Sequence, residues 1–317
     1  MHHATPNDPP AGWWRRLWSQ RSALASDNTS VAPVAAPLPP RFGRFQVTGL
    51  LGRGASGQVY LAEAAGEGRV AIKTLELDTA LPAREQAEHR ERFQRQAEVM
   101  RSLAHPDMVR LLDQGVAGGT PWIAMELALG VELSRYTRAN RLLPEPVVLR
   151  IAARVAHALA HAHARGVVHR DLKPANIRVD LGSDSVKLLD FGVARVEDAA
   201  VTRTGVTLGT PAYMAPEQLT GDHADPRSDA YALGVMLYEL LAGRLPYPAT
   251  TLGELLRAVS AGHPEPLSQR RPDVPPGLAD LVMRLLARHP GDRPQDLQQL
   301  AIDLLQWADE LAPPAPS

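Results

Sequence analysis

Residues 169–192, HRDLKPANIRVDLGSDSVKLLDFG, hold the side chains with the clearest chemical potential in the chain. Two carboxylates, Asp171 and Asp190, are separated by an amide, Asn176, and by a strand–turn–strand pattern that folds the second carboxylate back towards the first. Carboxylates and amides are hard oxygen donors of the kind Mg²⁺ takes, and a carboxylate beside a hydroxyl can accept its proton. Two Asp this far apart are, in most sequences, a turn residue and a cap. The surrounding residues must therefore decide between those readings.

The elements that would position this pair begin at 44–63, RFQVTGLLGRGASGQVYLAE, where two alternating apolar runs flank Gly52-Arg53-Gly54-Ala55-Ser56-Gly57. A lone GxGxxG is a weak signal, and in a dinucleotide-binding domain its glycines open a helix. Here Gln58-Val59-Tyr60-Leu61-Ala62 alternates and is rich in β-branched and aromatic residues, so the glycines are expected to turn a hairpin. Such a hairpin is a lid whose backbone N–H groups could approach phosphates. The next strand is Val70-Ala71-Ile72-Lys73, and 83–104 has helical periodicity with an apolar stripe of Phe93, Ala97, Met100 and Leu103/Ala104. A further strand is expected near Val109–Leu112, then a turn at Gly118-Gly119 and a buried strand Trp122-Ile123-Ala124-Met125.

Taken together, His169-Arg170-Asp171, Asp190-Phe191-Gly192, the glycine hairpin and Val-Ala-Ile-Lys resemble the signature set of the eukaryotic-type (Hanks-type) Ser/Thr protein kinases, in a bacterial style. The resemblance covers the chain except its two ends. It implies an α+β two-lobed fold, with a small antiparallel-sheet lobe and one regulatory helix over 42–127 and a large, mainly helical lobe over 128–310. It also implies ATP and Mg²⁺, with Asp171 facing the incoming hydroxyl, Lys173 at the γ-phosphate, Lys73 at the α- and β-phosphates, and Asn176 and Asp190 as metal ligands. The nucleotide would be held by Leu51, Gly52, Gly54, Gly57 and Val59 of the lid, by Ala71 above the adenine and by Met125 at the back. The backbone of Glu126, Leu127 and Ala128 would read the adenine edge, and Arg178 stands at the floor. Lys-Pro-Ala-Asn favours Ser/Thr over Tyr as acceptor, so the substrates implied are proteins.

Two positions depart from the family pattern. The regulatory-helix Glu that pairs with the strand lysine lies nine residues before a His-Pro, which here is His105-Pro106, and that position is Gln96. At 100° per residue Glu98 lies about 200° and Glu91 about 140° round the helix from it, so neither stands in by simple geometry. Arg178 occupies a place usually apolar. It could lay its stem under the adenine and stack its guanidinium on the ring, or turn out to solvent.

In the large lobe, Glu145–Arg165 reads as an Ala-rich helix. His157 and His161 have the i,i+4 spacing of a metal pair, but with no Glu between them and no third ligand following, packing and surface roles are the better reading. Residues 193–217 read as an activation segment containing Thr202, Thr204 and Thr207, of which Thr202 and Thr204 are the favoured autophosphorylation sites, with Arg170 placed to grip the phosphate and Thr210 expected near Asp171 and Lys173. Glu217 is expected to pair with Arg293. Asp229 is expected to open a buried helix over 229–242 and brace the catalytic loop, although an Asp there is also a plain N-cap. Helices near 251–261, 277–288 and 295–310 complete the lobe.

The 317 residues are 44% hydrophobic, with formal net charge −1 and no cysteine. That balance argues against a nucleic-acid partner. It also leaves no disulfide framework and fits a reducing, cytoplasmic setting. The apolar run near Tyr231–Gly243 is too short for a membrane span. Residues 1–41 read as a Pro-rich extension with a Trp/Arg block, WWRRLW, at 13–18 that could contact a membrane surface or a partner. Residues 311–317 read as a Pro-rich tail, and no C-terminal sensor is expected. A transient dimer would serve autophosphorylation. The rival reading is a nucleotide-binding pseudokinase scaffold, supported by Gln96 and Arg178 and opposed by the joint presence of Lys73, Asp171, Asn176 and Asp190.

Overall fold

A computed structural model describes residues 39, 41–54, 57–77, 80–190 and 211–312. Six strands, β1 (Arg41–Phe42), β2 (Phe45–Gly54), β3 (Gly57–Ala64), β4 (Gly68–Thr74), β5 (Leu111–Ala117) and β6 (Thr120–Glu126), form one antiparallel sheet in the order β1-β2-β3-β4-β6-β5. The alternation seen in the sequence is used as expected. Phe45, Tyr60, Ile72 and Trp122 fill one small core of this sheet. A second small core forms where helix α1 (Ala83–Ser102) packs Phe93, Ala97 and Met100 on Ile123.

The sheet register sets the site. Lys73 lies opposite Val59 on one side and Ile123 on the other, and Ala71 lies opposite Leu61 and Met125. The lid hairpin pairs Gly52 with Val59 and Gly54 with Gly57. Gly57 has φ +145, and a Cβ on it would lie 1.9 Å from the Thr74 carbonyl oxygen. Its glycine is therefore required by the approach of β4 as well as by conformation.

The large lobe is built on α2 (Glu145–His163) and α4 (Pro226–Ala242), both buried on most of their faces. Around them pack α3 (Pro216–Thr220), α5 (Leu252–Ala261), α6 (Leu267–Arg270), α7 (Pro276–Leu285) and α8 (Leu297–Glu310), over one core that includes Leu159, Tyr231, Tyr238 and Leu304. A three-stranded sheet, β7 (Val131–Glu132), β8 (Ile177–Asp180) and β9 (Ser185–Leu188), carries the catalytic segment. The expected two-lobed α+β architecture is what the chain adopts.

Several boundaries differ, each for a local reason. The strand expected at Val109–Leu112 starts at Leu111 because Val109 N–H donates to the Leu188 carbonyl at 3.1 Å, tying the segment to β9 instead of the six-stranded sheet. Helix α1 ends at Ser102, so Ala104 is exposed and leaves the apolar stripe, while Leu103 is buried. Helix α7 stops at Leu285, and the Ala287 and Arg288 carbonyls beyond it accept instead from the buried Arg293 guanidinium at 2.9 and 3.0 Å. The large buried helix starts at Pro226, with Asp225 as the N-cap accepting from Arg227 N at 2.8 Å. Asp229 is thus inside the first turn and free of the capping role.

Candidate active site

Asp229 is 1% exposed. A carboxylate taken out of water must be hydrogen-bonded or paired, and this one accepts three bonds: His169 N–H and Arg170 N–H, each at 2.8 Å, and the His163 ring at 2.7 Å. These bonds clamp the loop at a point where Arg170 has φ 65, a left-handed conformation costly to a non-glycine residue. The bracing role expected of Asp229 is its observed one. His163 is the partner that sequence reasoning missed; it stands in the last turn of the Ala-rich helix beside a second histidine, His161, that has no such role.

Beyond that clamp, Lys173 Nζ donates to Asp171 Oδ2 at 2.8 Å, and Asn176 Nδ2 donates to the Asp171 carbonyl at 2.8 Å and to its carboxylate at 3.1 Å. Leu189 N–H donates to the Asn176 carbonyl at 2.8 Å, which sets Asp190 immediately beside the asparagine turn. Asp190 has φ 41, so both loops of the site contain a residue in the left-handed region. The sequence-expected trio Asp171, Lys173 and Asn176 is one hydrogen-bonded cluster, and Asp190 adjoins it.

Lys73 reaches down from β4 and pairs with Asp190 at 2.7 Å, while Gln96 of α1 donates its amide N–H to the same Asp190 oxygen at 3.0 Å. Burial alone would raise the Asp190 pKa, but the Lys73 charge and the bonds from Lys73 and Gln96 outweigh it and hold the carboxyl below its usual range. Gln96 therefore bonds the Asp190 carboxylate that Lys73 also holds, instead of pairing with Lys73 as the family's regulatory-helix Glu would. Glu91 and Glu98 are exposed, as the helical angles required.

The Arg178 guanidinium neither turns out to solvent nor is left to stack on a ring: it donates to the Gly130 carbonyl. Gly130 sits against β8, where a Cβ would lie 2.1 Å from the Val179 carbonyl oxygen. Along the hinge, Met125, Glu126 and Leu127 are half-buried and Ala128 is buried. The Glu126 carboxylate accepts from Lys187 Nζ at 2.6 Å and from Arg110 N–H at 3.1 Å. This brace between hinge and β9 was not read from the sequence, since each residue alone looks like a surface charge. Leu51 and Val59 are half-buried, and nothing lies within 4 Å of a Cβ built on Gly52.

Lower in the lobe, Glu217 pairs with the buried Arg293 at 2.7 and 2.9 Å, as expected. Burial pushes the Glu217 pKa up, but hydrogen bonds from Arg293 and Ser228 bring it below the ordinary value. Asp107, next to His105-Pro106, accepts from Arg154 of α2 at 2.9 Å and anchors the end of α1 on the large lobe. His157 and His161 approach His105, whose ring nitrogen lies 2.9 Å from His157 Nδ1. No group of three His, Cys, Asp or Glu placed to hold a metal is found among the described residues. Phe191, Gly192, Ala55, Ser56, Thr202, Thr204, Thr207, Thr210 and the 13–18 block lie outside the described residues.

The family model for the protein kinase domain matches residues 45–305. The chain belongs to the protein kinase family. Over 272 residues the kinase is 37% identical to Serine/threonine-protein kinase pkn3 of Myxococcus xanthus, covering 82% of this chain and 49% of that protein. It is 35% identical to Serine/threonine-protein kinase PknB of Mycobacterium leprae, covering 88% of this chain and 45% of that one. It is also 35% identical to Serine/threonine-protein kinase PrkC of Bacillus subtilis, at 83% and 40%. The chain thus spans less than half the length of these relatives. No helix among the described residues is long and apolar enough to cross a membrane.

Proposed function

We propose that this kinase domain transfers the γ-phosphate of ATP to Ser or Thr hydroxyls of proteins, itself included, in the cytoplasm. The observation that carries the reading is the clamped cluster of Asp171, Lys173 and Asn176, with Asp190 adjoining it and Lys73 meeting Asp190 from the other lobe. Phosphoryl transfer asks a protein mainly for position and for cancellation of charge. The donor set fits a divalent cation: Asp190 and the Asn176 amide are hard oxygen donors on hydrogen-bonded neighbouring segments.

When bound, Mg²⁺ supplies charge neutralisation between the phosphates, and Asp190 and Asn176 are the residues that would hold it. Asp171 orients the acceptor hydroxyl and takes its proton at the carboxylate, while Lys173 places a positive charge beside it. Lys73 supplies charge for the α- and β-phosphates, and the open backbone at Gly52 leaves room for them. Ala71, Val59, Leu51 and Met125 enclose the base, the 126–128 backbone reads its edge, and the Arg178 stem lies at its floor. Gln96 and Arg178, the two grounds for a pseudokinase, both find roles compatible with catalysis.

The test is radiolabel transfer from ATP by the wild type, Asp171→Asn, Lys73→Met and Asp190→Ala. Each variant should lose nearly all transfer with an unchanged circular dichroism spectrum, because these side chains act on charge and not in the core. Equal activity in wild type and Asp190→Ala would refute the reading.

A further inference from the structure

Arg154 is the one charged residue in a buried, small-residue stretch of α2, where Ala152, Ala153, Val155 and Ala156 are all in the core. Its guanidinium is spent in two directions. Nε donates to the Asp107 carboxylate at 2.9 Å and Nη2 donates to the same oxygen, while Nη1 donates to the Asp184 carbonyl at 2.7 Å and to the Asp184 carboxylate at 3.2 Å. Asp107 is 5% exposed, so its charge requires this partner. Asp184 has φ 54, a left-handed conformation that an aspartate tolerates in a tight turn.

The two carboxylates hold opposite ends of one hairpin. Asp184 closes the turn between β8 and β9, where the Gly182 N–H and the Ser183 hydroxyl bond Asp180 and fold the turn on itself, and Arg154 ties that turn to α2. The open end of the hairpin carries Asn176, just before β8, and Asp190, just after β9, joined by the bond from Leu189 N–H to the Asn176 carbonyl. Pairing along the whole of both strands makes the hairpin a stiff lever about 13 Å long. At that open end Leu188 N–H donates to the Asp107 carbonyl at 2.8 Å. One guanidinium therefore holds the lever by its turn and, through Asp107, near the residues that would face a metal.

We propose that Arg154 is a positioning residue for the Asn176 and Asp190 donors: acting through Asp184 and Asp107, it sets where the β8–β9 hairpin delivers them and so tunes the affinity of the site for Mg²⁺. The geometry calls for an arginine. Its planar fork presents donors in two directions at once, whereas the ammonium of a lysine is a point charge that serves one carboxylate at a time. Without the fork, Asp107 and Asp184 are like charges with no cation between them, and their repulsion moves the turn off α2. The consequence for Mg²⁺ rests on the kinase reading of the site; the latch on the hairpin does not.

The experiment compares the full chain with Arg154→Lys and Arg154→Ala by hydrogen–deuterium exchange without ligands and by Mg²⁺ titration of phosphoryl transfer at saturating ATP. Arg154→Lys keeps a cation for the buried Asp107, so its Tm should stay close to that of the wild type. It should nevertheless exchange faster across 180–189 and need a higher Mg²⁺ concentration for half-maximal rate, each by roughly tenfold, the low end of what losing a group that orients a metal ligand costs. Binding of a fluorescent nucleotide without metal should be unchanged. Arg154→Ala should show the same shifts with a lowered Tm, and should it fail to fold, the lysine variant decides alone. Exchange and Mg²⁺ midpoint both like the wild type in Arg154→Lys would overturn the two-ended latch. A fall in rate with an unmoved Mg²⁺ midpoint, whatever the exchange, would make Arg154 merely structural and overturn its positioning role. A wild type that transfers no phosphate strikes the kinase reading instead, and exchange across 180–189 then still decides the latch.

Discussion

Replacing Gln96 by Glu gives Lys73 a carboxylate within the same small volume and withdraws the amide N–H that Asp190 now accepts at 3.0 Å. In the wild type Lys73 spends its charge on Asp190 at 2.7 Å, so a cation that needs Asp190 must compete with an ammonium. A charge-assisted bond contributes about 1.5–3 kcal/mol and a neutral one about 0.5–1.5 kcal/mol, so the exchange favours Lys73 leaving Asp190 by on the order of 1–2 kcal/mol. Because the Asp190 side chain is 43% exposed, solvent screening reduces that figure. The variant should therefore show roughly three- to tenfold higher basal transfer. It should also need a correspondingly lower Mg²⁺ concentration for half-maximal rate, with little change in Tm. The assay is a Mg²⁺ titration of phosphoryl transfer at saturating ATP for both proteins, with binding of a fluorescent nucleotide as a second readout. A raised Mg²⁺ midpoint or a lower rate would mean that Lys73 is not the competitor for Asp190, and the role given to Gln96 would fail.

Asp229→Ala strands two N–H groups of the catalytic loop and should cost roughly 2–6 kcal/mol, read as a lowered Tm; an unchanged Tm would show that the clamp is dispensable. Incubation with ATP followed by mass spectrometry should find phosphate on Thr202 or Thr204, which Arg170, whose Nε is buried without a partner among the described residues, would grip; no phosphate across 202–207 would refute autophosphorylation of this segment. Because the Glu217 pKa is depressed in the folded state, its contribution to stability is complete above the ordinary value of 4.5 and is lost as pH falls through the lower folded value. Glu217→Gln should flatten the decline of Tm with pH below about 4.5, and a parallel decline in both proteins would refute the linkage.

The two lobes, and the meeting of Asp171, Lys173, Asn176, Asp190 and Lys73 between them, were legible because the turns and strands that carry these residues are encoded locally. HRDLKPAN, Asp190, the glycine hairpin and the strand lysine each sit within a few positions of the backbone geometry they need, and strand and helix periods report their own elements. What each side chain does with its partners was not legible. Gln96 bonds across 94 residues of sequence to Asp190, and Lys73 across 117. Which oxygen accepts, and whether an amide gives its oxygen or its N–H, depends on where α1 settles against β6. Arg178 had two plausible fates in the sequence, and tertiary packing chose a third because the Gly130 carbonyl comes within reach only when β7 pairs with β8. Asp229 could have been a cap or a brace until Asp225 took the capping position and burial at 1% exposure required the other to find donors. Local geometry travels with the sequence; the pairing of charges distant along the chain is settled only when the lobes and the helix close on one another.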